Sequence, residues 1–216
     1  ACSQQPADPP GPALLLRQYR VRHPALARQR HRRNCVEPNN ADDLLDEIGP
    51  DRKVIVWSEY KAEIRAILAQ FKDRHPVARY GEVSKDQQTE NFKRFRDDPR
   101  CTLLVTHTAS SGHGLTMTWS RYSISYSTSC DFDQDYQKNR RIYRPGQKEP
   151  CFFIYLLAVH PDRKLRSVDQ DMFAMTRRKG VMNDILTPGR FDRASYEAAV
   201  GRLSSKKEPF LAVEEG

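Results

Sequence analysis

The sequence contains no GxxxxGK[ST] segment and no GxGxxG after a strand-like run. The first absence excludes a phosphate-cradling P-loop within these residues, and the second excludes a dinucleotide-binding fingerprint. A small Rossmann-like metabolic enzyme therefore lacks its signature. Cysteine is sparse: Cys2, Cys35, Cys101, Cys130 and Cys151 are scattered, odd in number and never paired as CxxC. That argues against a zinc site and a disulfide framework, and for a reducing, intracellular setting, cytoplasmic or, in a eukaryote, nuclear. No apolar run approaches the roughly 20 residues of a bilayer-spanning helix, so no membrane partner is expected. No secretory leader is expected either, because "PALLL" is short and arginines follow it. Acid is outnumbered as well. Against 28 Asp and Glu stand 36 Lys and Arg, a net charge of +8 that favours an anionic partner.

What is present falls into three parts. Residues 1–36 read as a disordered or basic connector: "ACSQQPADPPGP" is Pro-rich and polar, and Arg17, Arg20, Arg22, Arg28, Arg30, Arg32 and Arg33 follow almost unopposed by acid. Those arginines are either a solvated connector or a phosphate-binding arm. Residues 37–186 read as one folded domain, and residues 187–216 as a C-terminal helical tail around "RASYEAAVGRL".

Within the domain, strand-like and helical stretches alternate. Asn40 is placed to cap a short helix carrying Leu44, Leu45 and Ile48, stopped by Gly49-Pro50. "KVIVWS", "PVARY", "TLLVTH", "RYSISYS" and "CFFIYLLA" are short apolar or β-branched runs of the kind buried on both faces of a sheet. Between them, "KAEIRAILAQF" spaces Ile64, Ile67, Leu68 and Phe71 helically, and Ser84 with Gln87 forms a capping-box pattern ahead of Phe92 and Phe95. Residues 133–144 and "SVDQDMFAMTRRKGVMNDIL" complete the helices. This alternation, with short connections, implies an α/β fold with a parallel sheet and helices on both faces.

Ligands of open α/β sheets collect at the carboxyl ends of the strands. Two segments stand out there. "TASSGHGLT" offers Gly112 and Gly114, which either admit a phosphate or nucleic-acid backbone closely or simply make a tight turn. His107 and His113 flank it without a Cys or carboxylate spaced to complete a metal site, so no metal is assigned. The second segment is "DYQKNRRIYRPGQKEP". Gln137, Arg141 and Arg144 recur at helical spacing on one stripe, Arg140 points about 100° away, and Pro145-Gly146 ends the helix. A solvated basic face explains such a stripe; so does a polyphosphate, since a guanidinium offers several donors to phosphate oxygens.

The spacing QxxxRxxRxGQ over 137–147 resembles the last motif of the Swi/Snf-type ATPases of helicase superfamily two. Other segments are similar in the same order. "KVIVWSEYKAEIRAIL" resembles the opening of the second RecA-like lobe, and "RYGEVSKDQQTENFKRFRDDP" the segment after it. "LLVTHTASSGHGLTM" resembles the small-residue loop motif in its viral and bacterial form, "YSISYSTSCDFDQDYQ" the run into the Gln-Arg-Arg helix, and "SVDQDMFAMTRRKGVMNDIL" the closing helix. Thr116 stands where the family usually has Asn, and Lys85-Asp86-Gln87-Gln88 lacks an Arg common there.

The resemblance implies a three-layer RecA-like lobe, the second motor lobe of an ATP-dependent DNA translocase or helicase-like protein. Arg141 and Arg144 would act as arginine fingers and Gln137 would orient the γ-phosphate or water. Gly112 and Gly114 would couple the loop to nucleotide, and Ser58, Tyr60, Thr106 and His107 would contact the nucleic-acid backbone. Its cofactor would be ATP, with Mg²⁺ held by an N-terminal RecA-like lobe in cis or in trans, and its partner DNA. These residues alone would be inactive. The alternative is a non-catalytic nucleic-acid-binding module derived from such a lobe.

Overall fold

Side chains alternate faces along a strand, so a strand covered on both sides divides its residues between two cores. A computed structural model describes residues 13–20, 39–110, 115–159 and 166–186, and shows this division along its central strands. Six strands, β1 (Ala13–Arg20), β2 (Val54–Ser58), β3 (Val77–Arg79), β4 (Leu103–His107), β5 (Tyr122–Ser125) and β6 (Phe152–Val159), form one sheet in the order β1-β6-β5-β2-β4-β3. Every pairing is parallel. Among the described residues, five α-helices accompany them: α1 (Asn39–Ile48), α2 (Lys61–Gln70), α3 (Lys85–Asp97), α4 (Phe132–Ile142) and α5 (Val168–Leu186).

One core gathers Val54, Val56, Leu103, Val105, Ile124, Ile154 and Leu156 against Leu44 and Leu45 of α1 and Ile64 and Ile67 of α2. The other gathers Ile55, Trp57, Leu104, Phe153, Tyr155 and Leu157 against Phe95 of α3, Ile142 of α4 and Phe173 of α5. Neighbours in sequence thus serve opposite cores, and Ile55 and Trp57 are wholly buried. Burying one such side chain contributes about 1.5–3 kcal/mol. The α/β, RecA-like architecture expected from the sequence is present.

Three local readings change. The connector expected over residues 1–36 includes a strand, since β1 pairs with β6 from Ala13–Phe152 to Arg20–Val159. Helix α1 already begins at Asn39, so Asn40 lies inside it and is not its cap. Helix α4 covers 132–142, not 133–144, because Asp131 caps it and the chain turns before Pro145. Elsewhere the punctuation is as read. Ser84 Oγ accepts from the Gln87 N–H at the start of α3, and Gly49 leaves α1 at φ 95°. The tail at 187–216 and the remainder of the connector lie outside the described residues.

Candidate functional site

Helix α4 is placed by polar contacts at its start and along its inner face. The Asp131 carboxylate accepts from the N–H groups of Asp133 and Gln134 at 3.0 and 3.2 Å, and from Gln134 Nε2 at 2.7 Å. Below it, the Tyr155 hydroxyl of β6 donates to Asp135 Oδ2 at 2.8 Å and accepts from Asn139 Nδ2 at 2.9 Å. Asp135 and Asn139 are one turn apart, so a single β6 hydroxyl fixes the rotation of the helix. Lys138 Nζ pairs with Asp135 Oδ1 at 2.6 Å and lies over the Tyr155 ring, both side chains largely buried. Burial, then the Asp135 charge, pushes the Tyr155 hydroxyl pKa upward, which keeps the phenol neutral and able to donate. Helix α5 closes over the start of α4. A Cβ on Gly180 would stand 2.9 Å from the Phe132 ring, and Thr176 Oγ1 and Lys179 Nζ donate to the carbonyls of Ser129 and Cys130.

With its inner face fixed, α4 carries its arginines along the flank of the sheet. The Arg141 side chain is 94% buried at 6% exposure, and its carbonyl accepts from the Met117 N–H at 2.9 Å. Arg144 is half-buried. Its Nε donates to the Arg140 carbonyl at 2.9 Å and its Nη1 to Thr116 Oγ1 at 3.1 Å. Thr116, the residue in the usual Asn position, thus holds this guanidinium. Arg140 is exposed and turned aside, its Nη2 on the Tyr136 hydroxyl at 2.6 Å and its guanidinium over that ring. Gln137 is exposed on the outer side of the helix.

The arginines do not sit at the carboxyl edge. Helix α4 runs back across the sheet, and Gly146, at φ 100°, reaches a cleft shared with Asp51, Arg52 and Lys53 just before β2. Gln147 Nε2 donates to the carbonyls of Thr118 and Ser120, and Ser120 Oγ donates to the Lys53 carbonyl at 2.6 Å. Arg144 lies between α4 and the strap at 115–119, bonded to both.

One further charged residue was not singled out in the sequence. Arg79 ends β3, and with Val77 it points to the face that α3 and α4 cover. Its guanidinium lies 5.9 Å from the Phe92 ring centre, and its Nε is buried with no hydrogen-bond partner among the described residues. Burial lowers the Arg79 pKa; burial, then the charges of Arg144 and Arg79, lowers that of Arg141. Neither Arg79 nor Arg144 has a carboxylate partner among the described residues. The only sequence signal for Arg79 was its place at a strand's carboxyl end.

The expected nucleic-acid contacts divide. Ser58 is fully buried, its Oγ donating to Glu63 Oε2 at 2.7 Å and accepting from the Tyr60 N–H at 3.2 Å. Thr106 is also fully buried, its Oγ1 donating to the Arg79 carbonyl at 2.9 Å. A direct contact from either side chain is therefore corrected: both hydroxyls are committed inside the fold. Tyr60, 39% exposed, and the half-buried His107, whose Nδ1 accepts from the Ala109 N–H, reach the surface. Gly112 and Gly114 lie outside the described residues. Among the described residues, no group of His, Cys, Asp or Glu is arranged to hold a metal ion, and no helix is long and apolar enough to cross a membrane.

Comparison with curated proteins finds no match. Among solved structures, the chain is similar to the C-terminal part of the Fun30 ATPase domain, at 16% identity and a TM-score of 0.54 over 64% of this chain and 44% of that one. A further match is the Sulfolobus solfataricus SWI2/SNF2 ATPase core solved with dsDNA, at 17% identity and a TM-score of 0.49 over 73% of this chain and 32% of that one. The chain thus spans less than half the length of either structure. The helicase conserved C-terminal domain model matches residues 38–146, from α1 through the Gln-Arg-Arg helix to the glycine that closes it. The chain belongs to the helicase conserved C-terminal domain family.

Proposed function

We propose that this chain is the second motor lobe of a Swi/Snf-type, ATP-dependent DNA translocase or helicase-like protein. Arg144 is the observation that supports the reading best. Its guanidinium is held by neutral oxygens of Thr116 and Arg140, with no carboxylate partner among the described residues. Neutral acceptors orient the group while leaving its charge for an incoming phosphate. Arg141 and Arg144 act as arginine fingers and Gln137 orients the γ-phosphate or the attacking water. The donor set fits the phosphates of ATP, because two guanidiniums on adjacent turns offer charge and several N–H groups.

ATP with its Mg²⁺ is held by an N-terminal RecA-like lobe, in cis or in trans, and phosphoryl transfer to water is the chemistry it supplies. DNA is the track, with Tyr60 and His107 at the surface as backbone contacts. Ser58 and Thr106 shape the loops beside them, and Gly112 and Gly114 couple track to nucleotide. The setting is intracellular, cytoplasmic or, in a eukaryote, nuclear.

A phosphate-release assay tests the reading. The chain alone hydrolyses no ATP, with or without DNA, because it contains no P-loop. Joined to an N-terminal lobe of the same class, it gives DNA-stimulated turnover. If the joined protein binds DNA but never hydrolyses ATP, the non-catalytic nucleic-acid-binding module replaces the motor lobe.

A further inference from the structure

The segments that lead into β2, β5 and β6 meet at the amino end of the sheet. Residues 51–53, 118–122 and 146–149 there enclose one open cleft of about 400 Å³. Ligand sites typically fall between roughly 300 and 1,000 Å³. Gln137, Arg141 and Arg144 do not line this cleft, and Tyr60 and His107 lie at the opposite, carboxyl end of the strands.

Its walls are fixed by internal contacts. Gln147 holds the carbonyls of Thr118 and Ser120, and Lys53 Nζ donates to the carbonyls of Phe95, Arg96 and Asp98 where α3 ends. Trp119 is propped edge-on by Phe92, with ring centres 5.2 Å apart, and the Arg96 guanidinium lies 6.0 Å from its ring centre. Even so, 38% of this large apolar side chain remains exposed. Arg121 lies over the Tyr122 ring and donates from Nη1 to Glu149 Oε2 at 2.7 Å. Its Nε is buried without a hydrogen-bond partner among the described residues, so the Glu149 pair leaves part of its donor capacity unanswered. Arg52 and Lys148 are exposed and have no carboxylate partner among the described residues.

We propose that this cleft docks an acidic peptide segment of a partner protein, with a large apolar side chain on Trp119 and carboxylates on Arg52, Arg121 and Lys148. Cations outnumber acids in the lining, which fits an acidic partner. The acids that are present, Asp51 and Glu149, favour a peptide over a nucleic-acid strand. A continuous phosphate backbone would meet like charge at both, whereas a peptide can place its carboxylates singly. Trp and Arg are also the side chains that most often anchor protein interfaces. Because the internal contacts already orient Trp119 and Arg121, little ordering opposes docking. The proposal is independent of the two-lobe reading.

The test uses the full 216-residue chain and a capped synthetic peptide, Glu-Glu-Leu-Phe-Glu-Glu, followed by tryptophan fluorescence and calorimetry at low salt. The chain has two tryptophans and Trp57 is wholly buried, so a spectral change reports Trp119. The wild type binds with a blue shift, and added salt weakens binding. Arg52→Gln combined with Lys148→Gln weakens it roughly tenfold, the scale of a lost charge-assisted contact, and keeps the wild-type circular dichroism because both side chains are exposed. Trp119→Leu removes the blue shift and lowers calorimetric affinity by about tenfold or more. Lys72→Gln, an exposed charge outside the cleft, changes affinity less than twofold. A wild type that does not bind the peptide overturns the proposal, as does the double variant binding like wild type or Lys72→Gln losing as much. A twelve-residue oligothymidylate that binds more tightly than the peptide, and is lost in the double variant, overturns it in favour of a nucleic-acid strand. Failure of the joined protein to hydrolyse ATP leaves this measurement standing, so the two readings fail separately.

Discussion

At the ends of β2 and β4, Ser58 and Thr106 give their hydroxyls to Glu63 and to the Arg79 carbonyl, whereas Arg144 on the sheet's flank rests on two neutral oxygens. All were expected to touch an anionic partner. The difference between the two regions is one of hydrogen-bond capacity. A serine or threonine hydroxyl has one proton, and a single buried acceptor uses it. A guanidinium has five N–H donors, so two internal contacts leave most of its capacity available. Position at a promising loop end is therefore a poor guide for small polar residues and a better one for arginine.

Several measurements break or sharpen that contrast. The largest effect is expected from Arg144→Ala in the joined two-lobe protein. Turnover should fall by about 10³-fold or more while DNA affinity changes little, the magnitude associated with losing an arginine finger. Arg140→Ala should leave turnover within a few-fold, because that guanidinium is committed to Tyr136 on its own helix. Equal, small effects from both would remove Arg144 from the catalytic machinery.

Next comes Tyr155→Phe. It removes the donor to Asp135 and the acceptor for Asn139 beneath α4, at a cost of about 1–3 kcal/mol in denaturant unfolding. Because the same hydroxyl sets the rotation of α4, turnover should fall even where the variant is fully folded. Stability lost with turnover unchanged would show that α5 alone positions the helix.

Ser58→Ala should cost about 1–2 kcal/mol of stability by removing the Glu63 donor, with DNA affinity nearly unchanged. A selective loss of DNA affinity would return Ser58 to the track.

The smallest effect concerns the basic arm. Neutralising Arg28, Arg30, Arg32 and Arg33 to Gln should weaken DNA binding modestly and flatten its salt dependence. These four are chosen over deletion of residues 1–36, which would also strip β1 from β6. An unchanged salt slope would make the segment a connector.

Much of the fold was legible in the residues. Runs such as "VIVWS" and "LLVTH" have no polar face to turn to solvent, so burial on both sides, a parallel sheet and helices above and below follow from composition and length. The turn at Gly146 and the Ser84 cap were readable because each depends on neighbours within one or two turns, whereas the expected stripe of Gln137, Arg141 and Arg144 divides, with Gln137 exposed and Arg141 buried. The Gln-Arg-Arg motif and its companions pointed to the family for the same reason: a motif is a local spacing.

What the residues could not disclose were relations across the chain. The assignment of 13–20 to a connector missed β1 because a strand at the sheet's edge is defined by the β6 backbone beside it, not by its own alternation. Ser58 and Thr106 looked available because their acceptors, Glu63 and the Arg79 carbonyl, are reached only once α2 and β3 have packed. Arg79 passed unnoticed because nothing in "VARY" marks it until Phe92 of α3 packs beside its guanidinium. Sequence alone determined the central strands, the helices and the charge; tertiary packing decided the edge strand and which polar groups are engaged inside the fold, because only packing brings distant partners within hydrogen-bond reach.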